Sequence, residues 1–226
     1  MQKSDNITSH LSSEYDSHIS KTIPYYNFFH EEILNLIGSM DINPKYWLDT
    51  GCGTGNLVEK ALQKFPDTIF ILADPSTPML DKAKEKLENN TKAEFLEPTP
   101  SQDISLSSPV DVITSIQSHH YLSEEERYKA LKSCYDNLNE NGVYITFENI
   151  RPLTEKGTEI GKEYWRKFQI SKGKAVEDAE NHIKRFGVEY FPITVEEHLS
   201  LLRKNGFSVV EMFWYSYMQA GFYCIK

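Results

Sequence analysis

The stretch Leu48-Asp49-Thr50-Gly51-Cys52-Gly53-Thr54-Gly55-Asn56 carries the densest chemistry in the 226-residue chain. An apolar run ending in an acid enters three glycines at alternate positions, and helix-forming residues follow. Glycines let a backbone come close to a ligand at a helix N-terminus, on the carboxyl edge of a sheet. That suits any nucleotide-like cofactor, and a strand-to-helix turn without a ligand has the same pattern. Asp49 discriminates among ligands. Two positions before the first glycine, its carboxylate opposes a pyrophosphate and suits a ligand carrying ammonium and sulfonium charges. A second apolar run, Thr68 to Ala73, ends in Asp74-Pro75-Ser76. An acid at that strand tip can accept hydrogen bonds from both hydroxyls of a ribose; on its own it would cap a helix or a turn.

Further along, Ser115-Ile116-Gln117-Ser118-His119-His120-Tyr121 ends a fourth apolar run. Histidine can take a proton from an attacking O or N near neutral pH. It also caps and packs, and both readings fit His119 and His120. Glu148, just past a fifth run, is a further acid–base candidate or a cap for the next segment. The N-terminal part is rich in aromatic residues, and its rings either wall a pocket or pack a helix onto the sheet. Tyr15 and Tyr25 are the favoured pocket residues. With Tyr164, Trp165 and Trp214-Tyr215-Ser216-Tyr217 they predict an enclosed, aromatic-lined pocket suited to a small substrate.

The elements that must position these residues follow from periodicity. Apolar residues from Ile33 to Ile37 recur at helical spacing and stop at Gly38. Helices are expected over 56–65, 78–89 and 124–138, and strands at 46–49, 68–73, 93–96, 110–116 and 143–147. Continuous apolar runs such as TIFILA mark strands buried on both faces. Strands alternating with helices read as an α/β, doubly wound, mostly parallel sheet. Residues 151–192 break the rhythm and are expected to form one or two helices above the sheet. Thr194 starts a helix with Glu196 and Glu197 in its first turn. Strands at 207–217 and 221–225 then form an antiparallel edge pair. One domain is expected, with an N-terminal lid (1–44), a core (45–150), a cap (151–192) and a C-terminal helix and strand pair (193–226).

The pattern D-x-G-C-G-T-G, a strand ending in Asp, and D-V-I-x-S with His-His downstream resembles class I, Rossmann-like S-adenosylmethionine-dependent methyltransferases. The likeness covers residues 45–150 closely, and the Gly206-Phe207 strand pair fits the family's end. It implies a seven-stranded sheet with an antiparallel last strand, and S-adenosyl-L-methionine as cofactor, leaving S-adenosyl-L-homocysteine. Carried over by position, Asp49, Gly51 and Gly53 hold the methionine end and Asp74 the ribose, while Met79 lies near the adenine. Cys52, Pro75, Ser115, Tyr15 and Tyr25 complete the expected cofactor-binding set. Many members have Gly-Asp after the third strand; here Ser101 and Gln102, or else Asp103, are the substitutes for that adenine contact. A finer similarity, in Ile23-Pro24-x-Tyr26, Glu196-Glu197-His198-Leu199 and Phe213-Trp214, links the chain to the carboxy-S-adenosylmethionine synthase branch, which serves tRNA wobble-uridine modification. For a cofactor carboxylate, Arg151 and Arg185 are the candidates.

Composition bounds the partners. A net charge of −9 with only small basic clusters disfavours nucleic acid. No apolar run approaches the roughly 20 residues of a membrane span, and the polar N-terminus lacks a signal-peptide core. Three scattered cysteines form neither a metal site nor a disulfide framework, so the cytoplasm is expected. A monomer or homodimer acting on a small-molecule substrate is the leading expectation. Competing readings are a maker of carboxy-S-adenosylmethionine, a nicotinamide oxidoreductase, which Asp49 opposes, and a non-enzymatic cofactor-binding protein.

Overall fold

Residues 4–226 are described by a computed structural model. In chain order the elements are α1 (Tyr15–Thr22), α2 (Tyr26–Ser39), β1 (Tyr46–Thr50), α3 (Asn56–Lys64), β2 (Ile69–Ala73), α4 (Thr77–Leu87), β3 (Ala93–Phe95), β4 (Val110–Ile116) and α5 (Glu124–Asn137). There follow β5 (Leu138–Asn149), α6 (Glu155–Ser171), α7 (Val176–Lys184), α8 (Val195–Lys204), β6 (Val209–Ser216) and β7 (Gln219–Ile225). The seven strands make one sheet in the order β3-β2-β1-β4-β5-β7-β6. All pairs from β3 to β5 are parallel, and β7 runs antiparallel to both its neighbours. The expected antiparallel pair is therefore present, but only β6 is an edge; β7 lies inside the sheet.

The parallel strands are apolar on both faces because helices cover both. Successive residues alternate between two cores, as the two-residue period of a strand requires. Trp47, Val112 and Ile145 face α2–α4, and Leu48, Ile113 and Tyr144 face α5 and α8. Each such side chain, fully buried, contributes roughly 1.5–3 kcal/mol of transfer free energy. Helix starts follow local chemistry. Ser123 with Glu126, and Thr194 with Glu197, form reciprocal capping boxes that satisfy the first free N–H groups of α5 and α8.

One boundary differs from its expectation. β5 begins at Leu138 and not at Val143, because the chain leaves α5 already extended and pairs Leu138 with Val110. The Asn141-Gly142 turn becomes an irregularity inside the strand, with Asn141 at φ 63°. The cap does contain two helices, α6 and α7. It is tied to α1 by the buried Trp165, whose Nε1 donates to Thr22 O at 2.7 Å.

Candidate functional site

The strand order reverses between β1 and β4, and parallel sheets leave a crevice at such a point on their carboxyl edge. A cavity of about 510 Å³ occupies it, walled by the loops that follow β1, β2, β3 and β4. The glycine turn forms its floor. At Gly51 (φ +70°) an added Cβ would lie 2.5 Å from Ser118 Cβ, so the loop after β4 presses on the loop after β1. At Gly53 (φ +54°) an added Cβ would meet nothing within 4 Å. There the missing side chain leaves open space, and the backbone is bare to whatever enters the cavity.

Asp74 organises this floor. Its Oδ2 accepts from Gly53 N at 2.9 Å and its Oδ1 from Ser76 N at 2.8 Å. Burial raises its carboxyl above the usual range, against the pull of those two N–H groups. Pro75 and Met79 supply apolar wall. Ser101 and Gln102 line the opposite side; the Ser101 hydroxyl bonds Thr50 Oγ1, and the buried Gln102 Oε1 has no donor among the described residues. Asp103 is exposed and does not line the cavity, so of the three candidates for that wall it is the one set aside. Tyr15 lines it from α1. That helix is held down by Asp16, which accepts from Thr54 Oγ1 (2.6 Å) and Asn56 Nδ2 (2.8 Å) and pairs with Lys86 (2.8 Å).

Asp49, Cys52 and Ser115 lie behind this surface. Asp49 is buried and accepts from Thr114 Oγ1 at 2.7 Å, with Thr114 held in turn by Trp47 Nε1. Burial pushes its carboxyl up to about 7; Thr114 opposes the rise and the charge of Asp74 adds to it. The Cys52 thiol is buried and likewise pushed up by burial. Ser115 Oγ lies 2.8 Å from Ser118 Oγ and braces a residue that does line the cavity.

Five expectations are corrected. Tyr25 does not line this cavity. It stands at the outer start of α2, 48% exposed, with its ring against Trp214 and Tyr217. His119, His120 and Glu148 do not reach the cavity either. The Glu148 carboxylate accepts from His119 N (3.1 Å), His120 N (3.0 Å) and Thr146 Oγ1 (3.0 Å), and meets His120 Nδ1 at 2.6 Å. All three side chains are at most 3% exposed, because β5, the turn after β4 and Arg127 close around them. Burial drives His119 down to about 4. Burial also acts to raise Glu148, but His120 and the neighbouring imidazoles outweigh it and hold the carboxyl down to about 2. The group is a buried clamp that fixes the 117–122 turn. The aromatic lining is also smaller than expected, since only Tyr15 and Tyr121 contribute rings.

Residues that sequence reasoning missed complete the wall. Gln117 takes φ 56°, and its buried Oε1 has no partner among the described residues. Ser118, Tyr121 and Leu122 follow it, and Asp5, Asn6, Ile7 and Thr8 form a roof. The roof is held by Asp5, which accepts from Ser12 N (2.9 Å) and Ser12 Oγ (2.7 Å). A small residue opposite Gly51 was the one available signal, for Ser118. Among the described residues no Lys, Arg or His lines the cavity, and its charged side chains are Asp5 and Asp74.

Comparison with known proteins agrees with this geometry. Residues 48–144 match the family model described as a methyltransferase domain. The chain is 30% identical over 185 residues to an uncharacterized methyltransferase of Geobacillus sp. (strain WCH70), covering 80% of this chain and 76% of that one. It is 24% identical over 210 residues to the carboxy-S-adenosyl-L-methionine synthase of Staphylococcus epidermidis, covering 91% and 89%. The fold matches N-methyltransferase NodS from Bradyrhizobium japonicum WM9, bound to S-adenosyl-L-homocysteine, with a TM-score of 0.64 at 13% identity over 92% of this chain and 90% of that one. Several other matched structures are longer, and the chain spans between 55% and 60% of their length.

The residues present fit S-adenosylmethionine. Gly53 leaves the space a ligand needs; among the described residues Gln102 Oε1 has no donor, and the cavity's charged side chains are acids, which suits a cation. Glycine turn, strand-tip acid, sheet order and relatives converge: this chain belongs to the class I S-adenosylmethionine-dependent methyltransferase family.

Proposed function

We propose that the protein methylates a small-molecule acceptor, with the cavity over the glycine turn holding S-adenosylmethionine. The observation that carries this reading is the cavity over the glycine turn, whose charged side chains among the described residues are Asp5 and Asp74: a cationic cofactor is favoured there. Asp74 binds the ribose hydroxyls, and Gln102 Oε1 accepts from the adenine amine. Met79 and Pro75 pack the base. Asp49, from behind Gly51, supplies negative charge toward the methionine end once the cofactor's positive charge draws off the proton that burial leaves on it. The bound cofactor brings an electrophilic methyl group on a sulfonium centre. The protein's own contribution is placement and exclusion of water, which can be worth many orders of magnitude in rate. Among the described residues no histidine lines the cavity, and in-line methyl transfer does not require a general base. The three buried free cysteines suit a cytoplasmic protein.

A second reading, synthesis of carboxy-S-adenosylmethionine, is favoured by relatives that match along most of their length. It requires a cation for the added carboxylate. Arg151 pairs with Glu197 at 3.0 Å, and Arg185 with Glu189 at 2.6 Å; neither lines the cavity. The first reading is therefore preferred. Release of S-adenosylhomocysteine should be followed across panels of small acids, phenols, amines and thiols. Turnover with one of them is expected. Turnover on tRNA alone, or copurification of the carboxylated cofactor, would overturn the preference.

A further inference from the structure

A second cavity, of about 420 Å³, lies in the cap between α1, α7 and the turn that joins α6 to α7. It adjoins the cofactor cavity. Ile7 and Thr8 wall one and Ser9 and His10 the other, and α1 turns Tyr15 to the first and Glu14 and His18 to the second.

Lys174 is the unusual group in it. Its half-buried ammonium donates to Thr22 Oγ1 at 3.2 Å and Gln169 Oε1 at 3.0 Å, both neutral. Among the described residues no carboxylate comes within 4.0 Å of it. A lysine ammonium has three donors and no acceptor, so one donor is left over; of the acids that line the cavity, Glu14, Asp178 and Glu189, none pairs with it within that distance. Burial accordingly pushes Lys174 down to about 8, with Asp178 opposing and Arg185 adding to the fall.

The same lysine fixes a second donor. Because Lys174 can only donate, the Gln169 oxygen must face it, and the Gln169 amide nitrogen then donates to His182 Nδ1 at 3.0 Å. Burial keeps the His182 ring neutral. Its proton is therefore on Nε2, which has no acceptor among the described residues, and the ring lines the cavity. Arg185 lines it too; it uses Nε on Glu189 and one terminal nitrogen on Ile7 O (2.8 Å).

We infer that this cap cavity is a binding site for a small molecule bearing a carboxylate or phosphate group, which Lys174 and the Nε2–H of His182 receive. Charge-assisted hydrogen bonds of this kind are the strong ones. Arg185 joins the site to the roof of the cofactor cavity through Ile7, so occupation of one bears on the closure of the other.

Calorimetric titration with inorganic phosphate, with S-adenosylhomocysteine saturating, tests this on the full-length protein. Wild type and Lys174→Arg should bind phosphate, and Lys174→Gln should lose at least about tenfold in affinity. Asn181→Asp, which adds an acid to the cavity wall without touching the Lys174 bonds, should also weaken binding. Unchanged S-adenosylhomocysteine affinity in these variants keeps the result separate from the cofactor reading. Absence of phosphate binding in wild type, or equal binding in Lys174→Gln or Asn181→Asp, would overturn the site.

Discussion

Two buried acids in this protein answer opposite forces. Asp49 has a single hydrogen bond to set against burial, and its carboxyl rises to about 7. Glu148 has His120 and two backbone N–H groups, and it falls to about 2. The linkage signs follow. Between about 4 and 7 the folded protein holds a proton on Asp49 that the unfolded chain has released, so stability falls as pH rises through that window. Asp49→Asn should flatten this part of the curve in urea unfolding of the free protein; an unchanged slope would refute the assignment. Glu148 acts the other way, and its contribution is present above about 4.3 and lost as pH falls toward about 2. Leaving buried donors without their acceptor typically costs about 1–3 kcal/mol, more where the lost group is charged. Glu148→Gln should therefore destabilise by that order. Normal stability with lost turnover would instead restore a catalytic role. Why the sequence misassigns these residues is physical. Residue type shows that His119, His120 and Glu148 can move protons, but only burial shows that nothing reaches them.

At the scale of elements, α1 is fastened to the glycine turn by one side chain. Asp16 bonds Thr54, Asn56 and Lys86, so helix and loop move together. Asp16→Ala should loosen Tyr15 and the 5–8 roof and weaken S-adenosylhomocysteine binding several-fold, as titration calorimetry would read; unchanged affinity would mean the roof is held elsewhere. The elements themselves were legible where chemistry is local. The alternation of Trp47 and Leu48, the run from Thr68 to Ala73 and the Thr194 cap each specify their element within a few residues. Register and insertion are not local. Nothing near Leu138 announces that it will pair with Val110, and nothing near Gly221 places β7 between β5 and β6. Asp74 was legible because its partners are the glycine turn and its own helix start. Gln117 was not, because nothing in its residue type marks a left-handed backbone there.

The whole molecule is an acidic protein, and among the described residues the charged side chains of the proposed cofactor crevice are acidic too. Long-range charge thus opposes nucleic acid and favours a cationic cofactor through one and the same sign. Binding to the folded state alone stabilises it by about 2.7 kcal/mol at a ligand concentration one hundred times Kd. For a chain of this size that corresponds to a Tm rise of roughly 5–10 °C. S-adenosylmethionine and S-adenosylhomocysteine should both produce it, and NAD should not. The measurement that bears most directly on the central claim is titration calorimetry of S-adenosylmethionine into wild type and Asp74→Ala. The account predicts binding to wild type and a loss of about 1.5–3 kcal/mol in the variant, the range for hydrogen bonds to a charged group. Equal affinity in the two proteins would remove Asp74 from the ribose, and no binding to wild type would contradict the cofactor assignment itself.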